Sequence, residues 1–209
     1  MGCGGQEALA LTLLGDENRF GRLPITMYDK AYTGAVGSGG VVDFHNFDMA
    51  KPPGRTYKYY TGKPLFSFGS GQSYSQFKST CTMAQAGAGS HTISCSVVIA
   101  GGATSGDEVL MAFHSVGSPI RAAAKHPVPI KELVAFERLS LSGSTPATVQ
   151  LHIGPQQLGL VDETGTKQLV AGAHTITVTN GNSFSQAFVV QVAASEVLIR
   201  VPAMPARLS

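Results

Sequence analysis

The chain has 209 residues, of which 43% are hydrophobic and 13% charged, and its net charge is +2. This length is sufficient to bury a substantial core, while the small net charge argues against nucleic acid as a partner. No apolar run approaches the roughly 20 residues that span a bilayer, so a membrane partner is not expected either. Gly, Ser and Thr replace charged residues, a composition typical of short strands joined by polar turns.

The first elements in the chain have helix and strand character. Residues 5–14 (GQEALALTLL) are rich in helix formers and end at Gly15, which predicts a helix with a glycine C-cap. The turn DENRFGR follows, and then 23-LPITMY-28 predicts a short strand. A helix followed by a strand is half of an α/β repeat.

Residues 29–56 show no regular pattern, and an irregular stretch of this length is usually a linker, a lid or a binding loop. Within it, 37-GSGGVV-42 begins like a dinucleotide fingerprint, but Val42 replaces the last glycine and no helix follows. We therefore interpret it as a flexible loop and expect no cofactor.

An aromatic segment follows, 52-PPGRTYKYYTGKPLFSFGSGQSYSQF-77, with glycines between its rings. It could be a sugar-stacking platform, a nucleic-acid platform, or the packing between two domains, and we favour packing because aromatic rings bury large areas. At its start, Arg55 and Tyr57 could face a sugar, or they could tie the loop to its own backbone and join the core. The segment holds seven of the sixteen aromatic side chains: Tyr57, Tyr59, Tyr60, Phe66, Phe68, Tyr74 and Phe77.

From about residue 78 the hydrophobic pattern has a period of two, which predicts half-buried strands. Residues 108–114 are apolar on both faces, as in a central strand, whereas 115–131, with three prolines, predicts a surface loop. Short strands separated by turn formers predict a mainly β fold, a sandwich of immunoglobulin or fibronectin type III type. The predicted strands are 92–100, 108–114, 133–141, 147–153, 157–161, 173–179 and 186–192.

The titratable residues show no catalytic or metal-binding pattern. The six histidines lack metal-ligand spacing, so no metal is expected, and His152 and His174 are assigned to outward, solvated strand positions. Cys81 and Cys95 could pair across adjacent strands or remain buried thiols, and we favour the thiols. The loop carboxylates are expected to be solvated, and nothing in the sequence places two of them across a bond. These carboxylates are Asp43, Asp48, Asp162 and Glu163.

Several stretches in order resemble one family. GRLPITMY (21–28) and the aromatic segment are similar to conserved segments of family 3 glycoside hydrolases, most of all the plant-type β-xylosidases. Farther on, GDEVLMAF, PIKELVAFERLSL and LGLVDETGTKQLVAGAHTITV resemble the fibronectin type III-like domain that ends those enzymes. The chain departs from the family at Ser67 and Gln72, where proline and leucine are usual, and in the loop 34–51.

The resemblance implies that residues 1–77 are the end of an α/β sandwich domain with a long loop and an aromatic linker. Residues 78–195 would form the fibronectin-like sandwich and 196–209 a C-terminal tail. Both catalytic carboxylates would lie upstream, so no catalytic residue is expected here, and the partners would be the upstream barrel and α/β domains of the same enzyme.

The resemblance also implies a role. The chain would be the non-catalytic C-terminal part of a retaining β-xylosidase that removes terminal xylose from xylan fragments, and relatives are mostly extracellular. The remaining rings would form an interdomain seam, namely Tyr59, Tyr60, Phe66, Phe68, Tyr74 and Phe77. Arg55 and Tyr57 stay candidates for a place near the substrate on the chemistry of their side chains, as described above. The alternative is a stand-alone fibronectin-like module that binds an oligosaccharide or another protein.

Overall fold

The structure, a computed structural model, describes residues 4–33, 45–87 and 89–200. Its helices are short apart from the first, and its strands make up the body of the molecule. The helices are α1 (Gly5–Leu14), α2 (Lys30–Thr33), α3 (Thr56–Tyr59), α4 (Ser118–Ala123) and α5 (Pro155–Leu158). The strands are β1 (Ser75–Gln85), β2 (His91–Gly102), β3 (Ser105–Val116), β4 (Glu132–Ser142), β5 (Ala147–Ile153), β6 (Leu160–Val161), β7 (Lys167–Leu169), β8 (Gly172–Thr179), β9 (Ser185–Val192) and β10 (Glu196–Ile199).

Two antiparallel sheets form a sandwich. One has the strand order β1-β2-β5 and the other β4-β3-β8-β9, while β10, β7 and β6 form a small third sheet. The mainly β sandwich predicted from the period-two pattern is therefore confirmed. Helix α1 ends at Gly15 as predicted, because this residue adopts a left-handed conformation with φ 89° and closes the last turn.

The core lies between the two sheets and is built by alternate residues of each strand. In β2, Ile93, Cys95 and Val97 are fully buried, and Ile176 and Val178 of β8 face them from the other sheet. Cys81 and Cys95 are paired residues of β1 and β2, and the structure joins them in a disulfide rather than leaving two thiols.

Strand β3 is buried on both faces, which explains its continuous apolar sequence. Leu110 and Ala112 point into the sandwich core, whereas Val109, Met111 and Phe113 point to the opposite face. That second face is covered by the aromatic segment, chiefly by Tyr57 and Phe68. The sandwich therefore has an outer layer, made by residues that precede β1.

Several sequence-based predictions were wrong in detail. Residues 23–28 form no strand and contribute one bridge, between Met27 and Phe66. Residues 157–161 divide between α5 and β6, and β1 was not predicted as a strand.

The predicted surface loop 115–131 is also partly a core element. It contains the end of β3 and helix α4, and Ile120 and Val128 are buried in a satellite cluster. Arg121 holds the return of this segment, since its guanidinium donates to the carbonyls of Val128 (2.6 Å) and Pro129 (2.9 Å). The three prolines led to the surface-loop prediction, because the apolar residues of this segment pack without following a regular period.

Candidate functional site

The segment before β1 lies against the sandwich. Two parts of it, residues 23–27 and 66–70, hydrogen-bond to each other. Leu23 N donates to Ser70 O at 2.9 Å and Gly69 N donates back to Leu23 O at 2.8 Å. Farther along, Met27 N donates to Phe66 O at 2.9 Å. These bonds satisfy backbone groups that no helix or strand pairs. The two stretches therefore form one layer over β3, the aromatic layer.

A buried ion pair fixes this layer to the sandwich. The Arg22 guanidinium donates to Oε1 of Glu108, a β3 residue with no exposed surface. The same carboxylate accepts from its neighbour Val109 N at 2.9 Å and, through Oε2, from Asn180 Nδ2 at 3.0 Å. Three elements therefore meet at one carboxylate, which is buried because charged and polar groups surround it.

Asn18 is a second polar junction between the same layer and the sheet. Its amide nitrogen donates to Ser75 Oγ at 2.8 Å and to Ser105 O at 2.7 Å. Its amide oxygen accepts from Tyr74 N at 3.0 Å, and its backbone oxygen accepts from Asp107 N. One buried side chain thus positions the starts of both β1 and β3.

Asp107 is paired next to this junction. Arg138 Nε donates to Asp107 Oδ2 at 2.8 Å. Burial acts to raise the pKa of Asp107, but hydrogen bonds from Ser140 and Arg138 outweigh it and hold the pKa below its ordinary value. The carboxylate is therefore kept ionised as a structural anchor.

The predicted aromatic seam divides into several groups instead of forming one surface. The Tyr57 ring stacks on Phe68 at 4.2 Å, and both meet Phe113 of β3 edge-on. Tyr57 also accepts a hydrogen bond from Leu133 N at 3.2 Å. Phe77 packs against the sandwich core itself.

The other rings of the seam lie elsewhere. Tyr60 packs edge-on against the stacked pair Tyr28 and Tyr32, and Tyr74 packs against Phe20. Phe66 remains 49% exposed, and Tyr59 is half-buried, with its pKa raised by burial. The structure therefore shows which rings pack within the chain, while an interdomain role for the exposed ones stays a prediction.

Arg55 and Tyr57 lie two residues apart but face different surroundings. Arg55 Nη2 donates to the carbonyl of Asn46 at 2.5 Å and so closes the loop that precedes it, whereas Tyr57 belongs to the cluster on β3. A substrate-adjacent role for these two residues stays a prediction.

The turn that carries Arg55 is strained and braced. Thr56 has φ 56°, a left-handed conformation that a β-branched residue rarely adopts. Thr56 N donates to Tyr28 Oη at 2.6 Å, and Tyr32 Oη donates to Gly54 O at 2.9 Å. Burial, with the neighbouring Tyr28, raises the pKa of Tyr32 to about 12, so it remains a donor.

The carboxylates and histidines of the described residues were searched for a group that could hold a metal ion. Within 4–33, 45–87 and 89–200, no three His, Cys, Asp or Glu side chains are grouped to hold a metal ion. Asp162 caps its own turn by accepting from Thr164 and Thr166, which lowers its pKa. Asp43 lies outside the described residues.

None of the helices in the described parts of the chain is long and apolar enough to cross a membrane.

The outward placement predicted for His174 was wrong. Position 174 lies on the same face of β8 as Ile176 and Val178 and is therefore buried. Its ring Nδ1 is 2.8 Å from Nε2 of His114 in β3, and the two rings share a hydrogen bond. Burial, with a contribution from His174, lowers the pKa of His114 to about 4. His152 is exposed as predicted.

Arg22, Glu108 and Asn180 were missed altogether by sequence reasoning. The one available signal was Glu108 within an otherwise apolar strand, since an acid in that position requires a buried partner.

Comparison with known proteins places these features in a family. Residues 118–183 match the model of the fibronectin type III-like domain. The chain is 30% identical over 207 residues to the β-xylosidase/α-L-arabinofuranosidase 2 of Medicago sativa subsp. varia, covering 83% of this chain and 25% of that protein. It is 28% identical to a probable exo-1,4-β-xylosidase of Aspergillus japonicus, covering 86% of this chain and 24% of that protein.

Solved structures show the same fold. A β-glucosidase from Paenibacillus barengoltzii superposes with a TM-score of 0.76 at 21% identity, over 94% of this chain and 23% of that one. The family 3 exo-β-xylosidase XlnD, solved with a xylobiose aziridine probe, superposes with a TM-score of 0.74 at 22% identity, over 93% of this chain and 27% of that one.

Fold and matches together define a fibronectin type III-like sandwich whose central strand is covered by a preceding aromatic layer. Over more than four-fifths of its length, the chain is similar to the C-terminal region of β-xylosidases of glycoside hydrolase family 3. It spans about a quarter of the length of the curated relatives it matches.

Proposed function

We propose that this chain serves as the C-terminal, non-catalytic part of a retaining β-xylosidase acting on terminal xylose of xylan or xylo-oligosaccharides. The observation that carries the proposal is the match of more than four-fifths of the chain to β-xylosidases about four times as long. Two of the acids that the structure describes have structural partners, since Glu108 accepts from Asn180 and Asp107 accepts from Arg138.

The proposed partners are the upstream barrel and α/β domains of the same enzyme. Helix α1 supports this part of the proposal, because it has no buried residue and leaves Leu13 71% and Leu14 77% exposed. Ile25 and Phe66 are also half-exposed on the layer over β3. Apolar surface of this kind is typical of a face that another domain covers.

A two-part assay tests the proposal. The 209-residue chain alone should not hydrolyse p-nitrophenyl β-D-xyloside. A chimera in which it replaces the matching quarter of the Medicago enzyme should hydrolyse it, whereas that enzyme without this quarter should be inactive or insoluble. A chimera with Arg22→Met, which removes the ion pair to Glu108, serves as the control and should lose folded yield.

Turnover by the chain alone, abolished by substitution of its own acids, would contradict the proposal. A chimera that gains no activity or solubility over the truncated enzyme would contradict it as well.

The same chimera tests the proposed place of Arg55 near the substrate. Because Arg55 closes the 46–55 loop through Asn46 O, Arg55→Lys keeps the charge while weakening this contact. A raised KM with an unchanged melting temperature supports a position beside the substrate. An unchanged KM with a lowered melting temperature would restrict Arg55 to a structural role.

A further inference from the structure

Strand β4 is the end strand of its sheet, and its outer side is open. Within the described parts of the chain it pairs with β3 alone, and Tyr57 accepts from the amide of Leu133 at its start. Strand β5 ends the other sheet, and a cavity of about 450 Å³ lies between residues 133–137 of β4 and 150–152 of β5. An open edge of this kind presents unpaired backbone N–H and C=O groups to which another strand can pair.

Glu137 lies on the inward face of this edge strand. It is paired with Leu110 of β3, and paired residues of an antiparallel sheet share a face. Leu110 belongs to the sandwich core, and the neighbouring inward residues of β4, Ala135 and Leu139, pack against that core. Glu137 is nevertheless exposed and lines the cavity between β4 and β5. A carboxylate therefore interrupts the apolar inward face of β4.

The charge of Glu137 is not neutralised by a neighbour. Glu132, at the start of β4, is paired with Lys58 at 2.5 Å. Arg138, on the opposite face of the strand, is paired with Asp107. In the described parts of the chain, no residue forms a hydrogen bond or an ion pair with Glu137. A strand that added to this edge would have to take the Glu137 carboxylate out of water without a partner, which is unfavourable.

Strand β4 has few other features that protect an edge. Natural sheets block their edges with prolines, lysines, bulges or inward-pointing charges. The sequence of β4, ELVAFERLSLS, contains neither proline nor lysine, and its register shifts near its start, opposite Ala112 and Phe113. Glu137 is therefore the inward charge that stands in the remaining, regular part of the strand.

We propose that Glu137 keeps the open edge of β4 from pairing with a second copy of this chain. Strand β4 has 11 residues, Glu132–Ser142, and Glu137 is the central one, with five residues on either side. Two identical strands that pair antiparallel over their full length about a two-fold axis therefore place Glu137 directly opposite its own copy. Like charges at opposite positions destabilise a strand pair. The inference goes beyond the function proposed above and does not depend on it.

The variant Glu137→Val tests the proposal. The parent chain for the test carries Leu13→Gln and Leu14→Gln, which remove the exposed leucines of α1. Relative to this parent, Glu137→Val should raise the association constant in sedimentation equilibrium by at least about tenfold, because juxtaposed like charges oppose association strongly. Hydrogen exchange should also slow at alternate backbone amides within residues 134–141, since these would then be paired.

Two further variants of the same parent serve as controls. Glu163→Val removes an exposed acid and adds the same apolar side chain, but in the turn at residues 162–165. It should leave the association constant at the parent value. Glu137→Lys should also leave it there, because two lysines facing each other repel as two glutamates do.

Three results would overturn the proposal. The first is an association constant of Glu137→Val equal to that of the parent. The second is an equal increase in Glu163→Val or in Glu137→Lys, because the effect would then not come from a like charge on this edge. The third is stronger association of Glu137→Val without slowed exchange within residues 134–141, which would place the contact elsewhere. None of these results bears on the chimera assay, so the two proposals fail separately.

Discussion

At the scale of single residues, Gly181 shows how closely the turn after β8 approaches the aromatic layer. Its φ is 80°, and a Cβ on this residue would lie 2.0 Å from the carbonyl oxygen of Gly69. Only glycine satisfies both the left-handed backbone and the contact. The turn and the layer are therefore in contact through their backbones.

Gly181→Ala should destabilise the chain more than a left-handed backbone alone explains. An alanine at positive φ costs about 1–2 kcal/mol, and here the backbone of residue 69 must also move. We expect a loss of at least about 3 kcal/mol in the free energy of unfolding measured in urea. Gly143→Ala is the matched control, with φ 67° and open space around it, and should lose only about 1–2 kcal/mol. Equal losses would show that the approach to Gly69 is unimportant.

The buried pair His114 and His174 makes stability depend on pH. The pKa of His114 is lowered to about 4 in the folded chain, against about 6.5 unfolded. Below pH 6.5 the His114 imidazole is therefore protonated in the unfolded state but stays neutral in the folded state. The free energy of unfolding falls as the pH falls through this range. Between pH 7 and pH 5 the loss from this group is about 2 kcal/mol.

Urea unfolding at pH 7, 6 and 5 measures this dependence. His114→Phe, which fills the same space without titrating, should show a smaller loss between pH 7 and pH 5 than the unmodified chain. The exposed His152 provides the control, and His152→Gln should keep the full loss. An unchanged loss in His114→Phe would show that other groups cause it.

At the scale of elements, the ion pair between Arg22 and Glu108 holds the aromatic layer on strand β3. Arg22→Met leaves the Glu108 carboxylate buried without its cation, and breaking such a pair from one side costs about 3–5 kcal/mol. We expect a loss of this size in the free energy of unfolding, or failure to fold at 37 °C.

The control for this prediction lies three residues earlier. Arg19 is paired with Glu17 at 3.2 Å, but its side chain is 75% exposed, so Arg19→Met should change stability by no more than about 0.5 kcal/mol. Limited proteolysis identifies what is lost. In Arg22→Met, cleavage should appear first within residues 16–30 while the sandwich persists. Cleavage that begins instead in β1 or β2 would mean that the pair does not hold the layer.

At the scale of the whole molecule, large apolar side chains remain exposed on the region before β1. Leu14 is 77%, Phe47 85% and Leu65 59% exposed. Made alone, the 209-residue chain should therefore self-associate, with an apparent mass above 21.7 kDa that rises with concentration in light scattering.

Leu13→Gln combined with Leu14→Gln should reduce this association, because both residues project from α1 and neither is buried. Val189→Gln, at a 58% exposed position on β9 away from this region, is the control and should have little effect. A monomeric mass at all concentrations would contradict the prediction.

The sandwich was predictable because half-buried strands carry their orientation in the sequence. The alternation in β2, β5 and β9 identifies these strands and their inward faces. The same rule failed at His174 only because a polar residue was assigned outward against its own parity. The hydrogen-bond partner of its Nδ1 is His114, 60 residues away in the sequence. Segments without a period were harder, as the burial of Ile120 and Val128 shows.

The candidate site was much less predictable than the fold. Arg55 and Tyr57 drew attention because they stand in a glycine- and aromatic-rich loop, yet Arg55 turns back to its own loop and Tyr57 stacks inward. Arg22, Glu108 and Asn180 come from distant parts of the chain, and no spacing in the sequence predicts that they meet. Arg22 and Glu108 are 86 residues apart.

By itself, the sequence determined the β-sandwich class, the C-terminal glycine of α1 and the resemblance to β-xylosidases, because periodicity, capping and ordered motifs are local properties of the chain. Only the tertiary structure decided which polar groups are buried together, namely Arg22 with Glu108 and His114 with His174. The physical reason is that a buried polar group is stable only beside its partner. The choice of partner depends on how separate strands and loops pack, which no short stretch of sequence specifies.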